Sequence, residues 1–353
     1  MAGLLFMKIN NVSIDRDHKV IAMRPSLACS VREGPILVGD QYQLVTKLGK
    51  GSFSEVWLGN NINNGEEVAL KTERVGTPFP NLRFENEVYQ SFAGGTGIPK
   101  VFWYGQLNNQ GILYNVMALE RLGPSLNNLL DRCDGTFSLK TTLMLADQML
   151  ECIEFVHDNN FIHRDIKLDN FLMGAGANRS KLYLIDFGLA LRYRDPTTGI
   201  HVDFSRGKFF MGTALFASLN AHLGFSQGRR DDLESIGYVL VSILSGSLPW
   251  SKAKGLRREQ VCAKVKASKM ATSMDKLCKG LPPVFKKYFE YCLNLKYEEL
   301  PNYTHLRENF RKLFRKQGYR NDYVYDWDLG VDKNGKAVKK IPHTEKKSAC
   351  VIA

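Results

Sequence analysis

The sequence predicts an α+β chain in two lobes, a small β-rich lobe with one main helix followed by a larger, mostly helical one. Two observations carry that expectation. Strand-like runs dominate from Tyr42 to Met117, and helical apolar periodicity dominates after Gly123. The chain has 353 residues, 44% apolar and 24% charged, enough for a large core and about two domains at ~150 residues each. That balance excludes wholesale disorder, and glycine without a fixed period excludes a collagen-like chain. The expected organisation is a weakly ordered extension over 1–39, with room for a short strand, then a first lobe and its connection over 40–122. A second lobe over 123–328 and a flexible Lys-rich tail over 329–353 complete it.

Residues 42–45 and 55–58 read as strands flanking a glycine-containing turn, and residues 67–71 as a third strand after a polar Asn/Gly turn over 60–66. Residues 81–92 read as a helix. Residues 101–104 and 113–117 continue the sheet, giving about five strands. Ser138 is placed to cap a long apolar-periodic helix over 141–159. Further helices are expected over 235–244, 282–295 and 304–317.

Several classes are excluded. The seven cysteines (29, 133, 152, 262, 278, 292, 350) are scattered and odd in number, which argues against a disulfide scaffold or zinc site and fits a reducing cytosol. The charge-free stretch 235–251 holds five Ser and a Pro, so it suits a buried helix better than a membrane span. The start, Met1-Ala2-Gly3, is neither a signal peptide nor a myristoylation site. The net charge of +12 concentrates over 252–269, 307–320 and 330–349, locally +6, +5 and +4. Such clusters are either plain solvated surface or attractors of acidic substrates and anionic lipid. No nucleic-acid motif accompanies them.

Two constellations carry chemistry. Leu48-Gly49-Lys50-Gly51-Ser52-Phe53-Ser54-Glu55-Val56, with Val68-Ala69-Leu70-Lys71 after it, is either an ordinary hairpin or a phosphate cradle. Glycines let backbone N–H groups approach phosphate oxygens, and a Lys on the next strand can reach them. The more specific run is His163-Arg164-Asp165-Ile166-Lys167-Leu168-Asp169-Asn170, followed by Ile185-Asp186-Phe187-Gly188. It matches the catalytic-loop and metal-binding elements of protein kinases. Asp165 would orient a substrate hydroxyl, Lys167 would neutralise the transferring phosphoryl, and Asn170 and Asp186 offer hard oxygen ligands to Mg²⁺.

From about Asp40 to Asp328 the chain resembles the eukaryotic protein kinases, and more narrowly the casein kinase I family. The narrower resemblance rests on Gly94-Gly95-Thr96-Gly97-Ile98-Pro99, Leu122-Gly123-Pro124-Ser125-Leu126, Phe161 to Gly174, Arg229-Arg230-Asp231-Asp232-Leu233-Glu234, Gly246-Ser247-Leu248-Pro249-Trp250 and Tyr323-Val324-Tyr325-Asp326-Trp327. Leu168 stands where the family usually has Pro. The resemblance implies the two-lobed kinase fold, ATP and Mg²⁺ as cofactors, and serine/threonine specificity, marked by Lys167. It implies that Glu85 pairs with Lys71, although Glu87 lies close by. Leu119 falls at the gatekeeper position, and the backbone of Glu120 and Leu122 faces adenine. Thr213 should bond Asp165, and Asp232 should anchor the catalytic loop.

Two departures stand out. Leu215 replaces an Arg that helps hold a substrate anion, which weakens the expectation of phosphate-primed recognition. Arg229, Arg230 and Lys254 are expected to carry anion recognition, so acidic or phosphorylated protein segments are the expected substrates. Ser218-Leu219-Asn220 departs slightly from the family's Ser-Ile-Asn; like other members the chain lacks the Ala-Pro-Glu of most kinases, and the resemblance implies activity without activation-segment phosphorylation.

The end of the sequence, Cys350-Val351-Ile352-Ala353, matches a prenylation box with farnesyl preferred, or is a chance apolar ending. Six Lys between 333 and 347 would add attraction to an anionic leaflet, each worth roughly 1 kcal/mol. The expected location is therefore cytoplasmic and peripheral on a membrane. A rival reading is an inactive, lipid-anchored pseudokinase scaffold. Such chains commonly lose one of Lys71, Asp165, Asn170 and Asp186, and all four are present here.

Overall fold

The computed structural model describes residues 35–51, 54–78, 80–252 and 257–330. The first lobe is a six-stranded antiparallel sheet, in the order β1-β2-β3-β4-β6-β5, with one helix. Its strands are β1 (Leu37–Val38), β2 (Tyr42–Lys50), β3 (Ser54–Asn61), β4 (Glu67–Arg74), β5 (Val101–Asn109) and β6 (Ile112–Glu120); α1 (Leu82–Ser91) lies between β4 and β5. The strand β1 is a two-residue edge piece paired with β2.

β4 is buried along six consecutive residues because it is a central strand covered on both faces. Side chains alternate across a strand. Val68 and Leu70 therefore join Val38, Tyr42, Val116 and Ala118 in a core on one face. Ala69 joins Val56, Met117 and Leu119 in the main core, and Lys71, between Val56 and Met117 in register, shares their face. The sheet thus delivers Lys71, and two residues on the buried Glu73, to the face that carries the main core.

The second lobe follows with α2 (Leu126–Arg132), α3 (Leu139–Asp158), β7 (Phe161–Ile162), β8 (Phe171–Met173), β9 (Leu182–Leu184) and β10 (Leu191–Arg192). Then come α4 (Leu219–His222), α5 (Arg229–Ser245), α6 (Arg258–Ala271), α7 (Met274–Leu277), α8 (Pro283–Asn294), α9 (Tyr303–Lys316) and α10 (Asp326–Leu329). The helix α3 begins where expected: the Ser138 hydroxyl accepts from the Thr141 amide at 3.2 Å, and Asp326 in turn accepts from the Ser138 amide and hydroxyl at 2.6 and 2.7 Å. Twelve of its residues are buried, so it forms the spine of the lobe, against which α5, α9 and β9 pack.

The helix α5 starts six residues earlier than the expected 235–244 segment. Its first turn is charged, which hides it from apolar periodicity, yet it is buried because its carboxylates have partners. Asp231 accepts from the Gly228 amide and the Ser218 hydroxyl, both at 2.7 Å. It ends at Gly246, whose φ of 74° is the left-handed cap that favours glycine. The helix α6 was not expected, because among its side chains only Val265 and Lys269 are buried and the rest is basic surface. Among the described residues no helix is long and apolar enough to cross a membrane.

Candidate active site

Two short strand pairs place the chemistry. The antiparallel pair β7–β10 holds the stretch that leads into His163, and the pair β8–β9 holds the chain just after Asn170 and just before Ile185-Asp186. Residues 163–170 and 186–188 are thereby brought side by side. The loop is fixed from below by Asp232 near the start of α5. Its carboxylate accepts from the amides of His163 and Arg164 at 2.7 and 2.9 Å, and from His157 Nε2 at 2.9 Å. That grip sustains a φ of 67° at Arg164, an uncommon conformation for a residue with a side chain. Burial pushes the Asp232 pKa up, but these hydrogen bonds and the nearby imidazoles outweigh it, and the net shift is down. His163 donates through Nε2 to the Ile185 carbonyl at 3.0 Å and accepts at Nδ1 from the Asp165 amide at 3.2 Å.

Asp165 is 7% exposed and held on both oxygens. Thr213 Oγ1 donates to Oδ1 at 2.7 Å, and Lys167 Nζ lies 2.9 Å from Oδ2. Burial opposes the Lys167 charge, but Asp165 prevails, and the Lys167 pKa is raised. A carboxylate clamped in this way can orient a hydroxyl and receive its proton, while the adjacent ammonium meets developing negative charge.

Lys71 is the centre of the second cluster. Its Nζ donates to Glu85 Oε1 and Oε2 at 2.8 and 2.7 Å, and to Asp186 Oδ1 at 2.8 Å. Glu85, not Glu87, is therefore the partner; Glu87 pairs with Arg83 on the exposed side of α1. Burial opposes the charge on Lys71, but Asp186 and Glu85 outweigh it and its pKa rises. Burial raises that of Glu85, with Asp186 adding to the effect against Lys71. For Asp186 the lysines overcome burial and the carboxyl is held below its ordinary value.

Above this cluster lies a cleft open to solvent, with apolar walls and one charged end. Ala69, Leu119, Leu122, Leu172 and Ile185 form the walls, and Lys71, Glu85 and Asp186 the charged end. Leu48 and Val56 are buried in the same core. The Glu120 amide is engaged by the Lys100 carbonyl at 2.8 Å, so it is not available to a ligand. At the hairpin, Gly49 pairs with Val56 and Lys50 with Glu55 in register, Ser54 opens β3, and the Gly51 amide donates to the Ser54 carbonyl at 2.8 Å. Glu55 forms ion pairs with Lys47 and Lys50 at the surface. Ser52 and Phe53 lie outside the described residues, as do Lys254 and Cys350.

A divalent cation fits the residues present. Asn170 Nδ2 is spent on the Asp165 carbonyl at 2.9 Å, whereas its Oδ1 is buried without a partner among the described residues. Such an orphaned oxygen carries a desolvation cost that a hard cation would relieve. Asn170 Oδ1 and the Asp186 carboxylate would hold the ion, which would neutralise charge on phosphate oxygens. Among the described residues no cluster of three or more His, Cys, Asp or Glu forms a closed metal cage.

The expected anion-binding arginines need correction. Arg229 is 4% exposed, stacks over Tyr193 at 4.6 Å and donates to the Tyr193 hydroxyl and the Glu298 carbonyl at 3.0 and 2.6 Å. Arg230 donates to the Leu295 carbonyl at 2.8 Å. Both tie α5 to the segments around α8, and neither guanidinium is presented to a substrate. Leu215 packs on the core, and its carbonyl accepts from Trp250 Nε1 at 2.8 Å. Ser218 caps α4, while Asp231 and Glu234 hold the Ser218-Leu219-Asn220 stretch.

Sequence reasoning missed Tyr89, Pro99, Arg121, Leu172 and Ile185 as cleft residues. Helical spacing could have found Tyr89, which lies one turn after Glu85. Ile185 immediately precedes Asp186, as the quoted motif already showed. The family model described as the protein kinase domain matches residues 42–309, which span both clusters and the cleft. The chain belongs to the protein kinase family.

Proposed function

We propose that this phosphotransferase is directed at serine and threonine, resembles casein kinase I, and acts in acidic sequence contexts with Mg²⁺·ATP. The observation that carries the reading is the clamp on Asp165, formed by Thr213 at 2.7 Å and by Lys167, two residues further on, at 2.9 Å. The narrower family assignment is supported by the motifs around Gly94, Arg229, Gly246 and Tyr323. With Arg229 and Arg230 withdrawn into the fold, we assign acid preference to the net charge and to the exposed Arg206 and Lys208, on the segment leading to Thr213. Phosphate priming should add little, because Leu215 supplies no cation. A peripheral site on the cytoplasmic face of a membrane, through Cys350 and the Lys-rich tail, belongs to the same proposal.

The test is phosphate transfer from labelled ATP with Mg²⁺ to casein and to a basic control protein, with Asp186→Asn in parallel. Transfer to casein that the variant abolishes is the expected result; transfer to the basic protein alone would overturn the acid preference. Primed and unprimed peptides should react with similar efficiency. A primed advantage of about a hundredfold, the worth of a strong charged pair, would contradict that. Cys350→Ser should leave the membrane fraction, and its retention there would end the lipid-tether proposal.

A further inference from the structure

Asn81 stands at the N-cap of α1, where an asparagine side chain ordinarily accepts from amides of its own first turn. Here it makes no such bond. Glu73, at the end of β4 and 3% exposed, performs that duty instead. Its Oε1 accepts from the Asn81 amide at 2.7 Å, and both of its oxygens lie 3.3 Å from the Leu82 amide. The Asn81 amide group is thereby released, and Nδ2 donates to the Gly188 carbonyl at 2.7 Å.

Two turns along the same helix, the Tyr89 hydroxyl accepts from the Asp186 amide at 3.1 Å, and the Tyr89 ring meets Phe187 edge-on at 5.0 Å. Between them Glu85 engages Asp186 through Lys71. A Cβ on Gly188 would lie 3.6 Å from Asp186 Oδ1, 3.7 Å from Glu85 Oε2 and 3.9 Å from Asn81 Nδ2, so all three groups converge on that glycine. The object of the grip is Asp186, whose φ of 68° and ψ of 71° are left-handed. A residue with a side chain keeps that conformation only when its surroundings hold it.

We propose that Asn81 and Tyr89 are positioning residues, a two-point latch by which α1 fixes the backbone of residues 186–188 and with it the direction of the Asp186 carboxylate. The latch uses only neutral groups of the chain itself. It rests on the reading of Asp186 as the metal ligand.

Asn81→Asp separates the latch from a cap. Aspartate caps a helix as well as asparagine does, so a capping role predicts no loss. As a latch, the aspartate has no N–H to give and sets a carboxylate against the Gly188 carbonyl. Tyr89→Phe removes only the hydroxyl, and Asn81→Gln restores a donor. On the full chain, two quantities would be measured: hydrogen–deuterium exchange of residues 186–189 without nucleotide, and Mg²⁺-dependent tightening of ADP binding. Asn81→Asp and Tyr89→Phe should each speed exchange and raise the half-saturating Mg²⁺ about fivefold, the worth of one hydrogen bond. ADP affinity without Mg²⁺ should not change in Asn81→Asp, and Asn81→Gln should fall between. Wild-type exchange and Mg²⁺ dependence in both variants would overturn the latch. If Mg²⁺ fails to tighten ADP on the wild type, the metal-ligand reading falls, and the exchange measurement still decides the latch. If Asn81→Asp does not fold, Tyr89→Phe decides alone.

Discussion

Two regions of this chain bury charge, and they use it differently. In the cleft, Lys71, Glu85 and Asp186 pair with one another, and capacity is left over: the Asn170 Oδ1 has no partner among the described residues, and the Asp186 carboxylate borders the open space. Around α5, Asp231, Asp232 and Lys269 are spent on backbone groups, hydroxyls and an imidazole of the fold, and Arg229 gives Nη1 and Nη2 to Tyr193 and Glu298. Lys269 is 5% exposed, donates to the Ala217 carbonyl and lies 4.2 Å from the Tyr238 ring centre. The lesson is that a buried or clustered charge marks a site when unspent bonding capacity borders a cleft, as it does at Asp186. The first region should fail chemically when altered, and the second should fail structurally.

The largest expected effect belongs to the cleft. Asp165→Asn keeps the shape of the side chain but cannot take up a proton, so kcat should fall by about 10²–10⁴. The melting temperature should stay close to that of the wild type. A melting loss as large as that of an Arg229 variant would erase the distinction between the two regions.

Arg229→Ala is the counterpart. It leaves the Glu298 carbonyl and the Tyr193 hydroxyl without their donor and opens a gap over the Tyr193 ring. The expected cost is about 3 kcal/mol of stability. Folded molecules should keep the same KM for an acidic peptide. A raised KM with unchanged stability would return Arg229 to the substrate site.

That variant also tests what the sequence could and could not say. Asp165, Asn170 and Asp186 were legible because their chemistry requires particular residue types at short spacing, and Lys71, 115 residues from Asp186, because it follows a glycine-rich hairpin; the fold brings them together. Thr213 and Asp232 were legible only through the family resemblance. The helix α3 was legible because its apolar residues repeat and Ser138 caps it. Arg229 and Arg230 were misread because a basic pair looks the same in sequence whether it faces solvent or a carbonyl. The helix α6 was missed because its buried face holds one valine and one lysine. Tyr89 and Asn81 were missed as positioning residues because their partners lie about a hundred residues away, at 186 and 188.

The second region should also carry a pH signature. His222 Nε2 donates to the Ala214 carbonyl at 2.9 Å, just after Thr213. Burial, with the Lys269 charge adding to it, lowers its pKa from 6.5 to about 4. The native form therefore resists a proton that the unfolded chain accepts. Its contribution is complete above pH 6.5 and is lost as pH falls towards about 4, at most about 3 kcal/mol. Denaturant midpoints at pH 7 and pH 4.5 should differ less in His222→Gln than in the wild type. An equal difference in both would remove His222 as the cause.

The smallest effect is the sharpest on residue choice. Glu85 and Glu87 are two positions apart on one helix, so one faces the cleft and the other the solvent. Glu85 is 2% exposed and holds Lys71 through both oxygens, whereas the Glu87 side chain is 60% exposed and meets Arg83 at 3.3 Å. An exposed pair one turn apart is worth about 0.5 kcal/mol or less. Glu87→Gln should therefore leave kcat, nucleotide KM and melting temperature unchanged, and raising the salt concentration should remove even a small difference. Glu85→Gln should lower kcat and raise the KM for ATP, because Lys71 loses the carboxylate that holds it against Asp186. A comparable kinetic loss at Glu87 would mean that the helix turns to offer Lys71 either carboxylate, and the contrast between a spent and an unspent charge would no longer decide which residues form the site.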